Sequence, residues 1–132
     1  MNSIWSDSLA LSGSDAVFDL GNALAIASYG GNPYLTGSYW PRQIEIIVPT
    51  GIAAAVALEY VNVGLVSPTS SYDGIPSGSN LTSATESGAY LLPATTDFPF
   101  LIYPQAYSIQ MKTNLKVHVY GASGTALLNF MR

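Results

Sequence analysis

Apolar and polar residues alternate along several short stretches of this chain. Ile44, Ile46 and Val48 alternate with Gln43, Glu45 and Ile47 until Pro49-Thr50-Gly51 supplies a turn. Ile52, Ala54, Val56, Leu58 and Tyr60 then alternate with Ala53, Ala55, Ala57 and Glu59, a second set small enough to admit close approach of another layer. Toward the end, Leu115, Val117 and Val119 alternate with Lys116, His118 and Tyr120, and the period resumes from Thr125 to Phe130 after Gly121-Ala122-Ser123-Gly124. A period of two belongs to strands with one buried face.

Taking the four residues 121–124 as a hairpin loop pairs Val119 with Ala126, Val117 with Leu128 and Leu115 with Phe130, so that all three pairs share one apolar face. A two-stranded hairpin is marginal alone, so that face needs a second sheet or a partner chain. The run from Gln43 and the run ending at Tyr60 are expected to form a second antiparallel pair. Ser8 to Leu20 reads as two short edge strands, and Ala23 to Ser28 fits either a helical turn or a strand. Prolines 93, 99 and 104 mark extended edge segments, and Ile109 and Met111 begin a further strand.

These elements predict roughly seven or eight strands with long Gly/Ser/Pro-rich loops, hence an all-β, antiparallel β-sandwich of jelly-roll-like form. Residues 1–132 form a single domain on this reading. The expected core comprises Ile44, Ile46, Val48, Leu115, Val117, Val119, Leu128 and Phe130. The longest join, Ser67 to Gly88, is dominated by Ser, Thr, Gly, Pro and Asn, and a loop of that length is expected to be functional or to lie on a partner.

Composition sharpens the expectation of association. Charged residues are only 9% of the chain, against roughly 25% in ordinary domains. Mixed surface charge normally keeps domains apart, so this surface is poorly protected against self-contact. A net charge of −4 with four basic residues argues against nucleic acid, whose phosphates need a Lys/Arg footprint. The opening MNSIWSDSLALSGSD lacks a basic n-region, and no apolar run approaches the roughly 18 residues of a spanning helix. Without cysteine there is no thiolate metal site, and no cofactor is expected.

Candidate chemistry is sparse. His118, the single histidine, falls in the outward set between Lys116 and Tyr120 with no carboxylate nearby in sequence, so it reads as a surface or interface residue. Glu45 and Glu59 would face each other if their strands paired, which suits glycosidase-like acid chemistry only inside a sugar cleft; otherwise they are solvated strand residues. Asp73-Gly74 and Asp97 lack the oxygen-ligand spacing of a calcium loop. An enzyme is therefore not expected.

Aromatic residues suit an interface better. Tyr29, Tyr34, Tyr39, Trp40 and Tyr72 sit among glycines and prolines, where they would serve a protein contact or a sugar platform. Ile4 and Trp5 are expected to hold the N-terminal residues against a neighbouring subunit or the domain's own sheet. Leu127 and Met131 fall on the outer face of the last strand, flanking Asn129, where they suit a subunit contact.

RQIEIIVPTG, FPFLIYPQAYSIQMK and LKVHVYGASGTALLNFMR together resemble segments of small β-rich structural proteins of tailed bacteriophage particles. The shared features are a strand ending at Pro-Thr-Gly, an apolar-Pro segment before the penultimate strands, and a final apolar strand. The resemblance implies a non-enzymatic virion protein, a capsid decoration or cement protein that self-associates as a homo-oligomer and binds the major capsid protein. It transfers no active-site residue. The alternatives are a carbohydrate-binding β-sandwich module and a tail or fibre component, the latter suggested by the long Ser67 to Gly88 loop.

Overall fold

The computed structural model describes residues 2–26, 35, 37–48, 54–62, 74–75, 78–85, 87–92, 99–105 and 113–132. Its strands are β1 (Ser3–Ser12), β2 (Asp15–Asp19), β3 (Gln43–Ile47), β4 (Ala54–Asn62), β5 (Tyr90–Leu92), β6 (Phe100–Ile102), β7 (Thr113–Tyr120) and β8 (Ser123–Met131). They form two antiparallel four-stranded sheets, ordered β1-β8-β3-β6 and β2-β7-β4-β5. Each strand pairs with its mirror in chain order: first with last, second with seventh, third with sixth, fourth with fifth. That nesting is a long antiparallel ribbon wrapped on itself, the two Greek keys of a jelly roll. The expected all-β sandwich is thus the architecture of the chain.

The expected closing hairpin is not formed. β7 pairs with β2 and β4, whereas β8 pairs with β1 and β3, and residues 121–122 carry the chain from one sheet to the other. Leu115, Val117 and Val119 are nonetheless buried, as are Ala126, Leu128 and Phe130. In a hairpin the two sets would lie side by side on one face; in the sandwich they belong to the facing inner surfaces of the two sheets. Alternation fixes which side chains turn inward and is silent about which strand lies alongside. The same correction applies to β3 and β4, which occupy different sheets, so Glu45 and Glu59 do not face each other.

Ile44, Ile46, Leu58, Leu115, Leu128 and Phe130 are almost fully enclosed, and Phe18 stacks on Phe130 at 5.5 Å between centroids. Val48, just past β3, is only half-buried. β5 and β6, short strands flanked by prolines 93, 99 and 104, are the outer strands of their sheets as expected, and β1 and β2 are the outer strands on the other side. The ambiguous segment after β2 is helix α1 (Leu20–Ile26). Asp19 caps it by accepting the Asn22 N–H at 2.9 Å, and Leu20 and Leu24, one turn apart, are both buried. The further strand expected at Ile109 and Met111 lies outside the described residues.

Candidate functional site

The two outer sheet faces differ in their cover. On β2-β7-β4-β5, residues of the Ser67 to Gly88 loop lie across the sheet, although Leu91 of β5 and Val17 of β2 stay exposed there. Ile75 and Leu81 are buried against Ala55 and Ala57, which have no exposed surface. The small alternate set of β4 therefore does receive another layer, and it comes from the chain itself. Ile75 donates its N–H to the Leu58 carbonyl at 2.9 Å, pinning the loop to β4.

Beneath this layer lies a cluster of charges. His118, 1% exposed, is flanked on neighbouring strands by Asp15 of β2 and Glu59 of β4. Its Nδ1 is 2.8 Å from Asp15 Oδ2 and its Nε2 is 2.7 Å from Glu59 Oε1. Both carboxylates also hold the loop: Glu59 Oε2 accepts the Gly78 N–H at 2.7 Å, and Asp15 Oδ2 accepts the Leu81 N–H at 3.1 Å. His118 is thus not a surface residue. The face assignment from alternation was right, but the covering loop removes that face from water.

Burial opposes a charge on His118, but the hydrogen bonds to Glu59 and Asp15, with their negative charges, outweigh it and raise its pKa. Burial likewise pushes Glu59 up, and the bonds from His118 and the Gly78 N–H, with the charges of His118 and Lys116, reverse this and lower its pKa. The arrangement is a buried imidazolium between two carboxylates. Only the doubly protonated ring can donate to both. With each ring nitrogen committed to a carboxylate, the imidazole has none left to activate a hydroxyl or to bind a metal. Its chemistry is that of a clasp between β2, β7, β4 and the loop. Glu59 was the signal available in the sequence: an acid in register with an alanine set built for close cover must itself be covered, and must find a cation.

The β1-β8-β3-β6 sheet carries no such cover among the described residues. Its outer face presents Ser6, Ser8, Ala10 and Ser12 of β1, Thr125, Leu127, Asn129 and Met131 of β8, Gln43, Glu45 and Ile47 of β3, and Leu101 of β6. Leu127 is 53% exposed and pairs directly with Ile47, 43% exposed, while Leu101 is 41% exposed. Glu45 is the one charged residue among the described residues of this face. A shallow depression of about 420 Å³ is bordered by Ser6, Glu45, Ile47, Leu127 and Asn129, with the exposed carboxylate of Asp7 at its β1 edge.

The residues expected at an interface are distributed unevenly. Leu127 and Met131 do lie on this outer face, Leu127 exposed and Met131 half-buried. Ile4 and Trp5 belong to β1 and are half-buried against the chain's own core. Trp40 is corrected: at 5% exposure it stacks on Tyr60 at 6.1 Å and donates Nε1–H to the Gln105 carbonyl at 2.6 Å, so its ring offers no platform. Tyr39 stands at the surface on a 3-10 turn, Gly37–Tyr39. Tyr29, Tyr34 and Tyr72 lie outside the described residues, as do Asp73 and Asp97.

Comparison with protein-family models, with curated proteins and with solved structures returns no match to this chain.

Proposed function

We propose that this protein is a non-enzymatic structural component of a virus particle, a decoration protein that associates with its own copies and with the major capsid protein. The observation that carries the reading is the outer face of β1-β8-β3-β6, a four-stranded surface with exposed Leu127, Ile47 and Leu101 and, among its described residues, one charge. Such a face has little electrostatic protection against contact, and contiguous exposed apolar surface marks interaction sites. On the opposite face the chain's own loop covers Ala55, Ala57 and His118, and the exposed apolar residues there, Leu91 of β5 and Val17 of β2, lie apart on the two edge strands. Jelly rolls serve as capsid and lectin domains alike, so the strand order alone does not choose between them. The sugar-platform alternative loses Trp40 to the core.

Light scattering of the purified protein, together with binding to empty capsid shells, tests the proposal. The parent should self-associate or bind shells. Leu127→Lys and Ile47→Lys should impair this while leaving the melting temperature close to the parent's, since surface substitutions usually change stability by no more than about 0.5 kcal/mol. A stable monomer with no affinity for any shell overturns it.

A further inference from the structure

We propose that the cleft between Arg42 and Arg132 is a binding site for an oxyanion, a carboxylate or phosphate group carried by a ligand. The chain has four basic residues in all, and two of them meet here. Arg42 precedes β3 and Arg132 follows β8, each one residue beyond the Gln43–Met131 pair. The Arg42 N–H donates to the Met131 carbonyl at 2.8 Å, so the two arginines are cross-strand neighbours at one end of the sheet. Like charges placed across a strand pair are destabilising. Here the repulsion is not relieved internally: among the described residues, no carboxylate lies within the 4.0 Å ion-pair distance of either guanidinium. Among the described residues, the acids in ion pairs lie elsewhere: Asp15 and Glu59 are on His118.

The surroundings fit an anionic group. The cleft has a volume of about 610 Å³ and is lined by Asn2, Ser3, Ile4, Ser38 and Tyr39 besides the arginines. Arg132 is held in place, since its Nη1 donates to the Trp40 carbonyl at 3.0 Å, which leaves its other N–H groups to a ligand. Asn2 is fixed by reciprocal backbone bonds with Arg132, each 2.8 Å. A guanidinium presents a planar fork of donors matched to carboxylate and phosphate oxygens. The net negative charge repels anions at long range, so attraction has to come from this local pair of cations. The site is independent of the apolar outer face and does not rest on the assembly proposal.

Titration followed by amide chemical shifts, at constant ionic strength in a chloride buffer, tests it with inorganic phosphate, glucuronate and glucose. Saturable shifts around Asn2, Ser38, Arg42 and Arg132 are expected with phosphate, glucuronate or both, and none with glucose. The preferred anion tells whether the ligand's group is a phosphate or a carboxylate. The Arg42 guanidinium makes no side-chain hydrogen bond among the described residues, so Arg42→Gln should keep the parent's melting temperature and weaken the anion at least about tenfold, because hydrogen bonds to charged groups are worth that much or more. Arg132→Gln, which also loses its bond to Trp40, should weaken it as well. Absence of saturable binding of either anion, equal binding of glucose, or undiminished affinity in Arg42→Gln overturns the proposal.

Discussion

Replacing His118 with leucine would remove the cation from between Glu59, which is buried, and Asp15, which is mostly so. Asp15 and Glu59 would retain their bonds from the Leu81 and Gly78 N–H groups, but one hydrogen-bonded charge of each would be gone. Breaking a buried ion pair by removing one partner typically costs about 3–5 kcal/mol, because the remaining charge is left uncompensated. At roughly 4 °C per kcal/mol for a domain of this size, the variant should melt roughly 12–20 °C below the parent.

The pH dependence distinguishes this cause from a simple loss of packing. In the parent, the raised His118 pKa contributes stability that is fully present below its ordinary value of 6.5 and is lost as pH rises through the folded value. The lowered Glu59 pKa contributes stability that is present above 4.5 and is lost as pH falls through its folded value. The clasp is therefore strongest between those two ordinary values. In His118→Leu, Glu59 keeps its burial without its cation, so its pKa should move up, and the variant should gain stability as pH falls through that raised value. Thermal melts from pH 4 to 9 should show the gap between the two proteins widest in the plateau and narrowing on both sides. A gap under about 4 °C at pH 6, or one that does not vary with pH, would refute the ionic account of this cluster.

Two further substitutions probe the core and the cover. Val117→Asp places a carboxylate where the parent side chain has no exposure, between Phe18 and Leu58 of the neighbouring strands, and urea unfolding should show a loss above about 4 kcal/mol; a small loss would mean that this face is not core. At Gly74 an added methyl would meet the Leu58 backbone carbonyl, so Gly74→Ala should lift the loop at a cost of about 1–3 kcal/mol. Hydrogen exchange should then show the Ile75 and Gly78 amides losing protection while Val117 keeps it, and unchanged protection at Ile75 would show that the loop absorbs the methyl.

What the residue pattern determined by itself was local and one-dimensional: where strands occur and which side chains turn inward. The period of two at Gln43 to Ile47, Ala54 to Tyr60, Leu115 to Tyr120 and Thr125 to Phe130 was enough for the all-β class and for most of the core. Prolines 93, 99 and 104 bound β5 and β6 and keep them to three residues each, and these short strands do lie at sheet edges as expected. Pairing was not determined. β7 and β8 are adjacent in sequence and separated by only two residues, yet they lie in different sheets, because the apolar faces of both are buried equally well across a core as beside each other. Once that choice is made, long-range neighbours decide the chemistry. Asp15, Glu59 and His118 are remote in sequence and meet only because β2 and β4 flank β7; Arg42 and Arg132 meet only because β3 flanks β8. The burial of His118 depended on a further tertiary fact, the return of a polar loop over a face whose alternation marked it as outward. Hydrophobic periodicity records burial by the core; of the loop's cover the sequence held only the trace left by small Ala55 and Ala57 beside Glu59, and which segment covers them was decided by the tertiary structure.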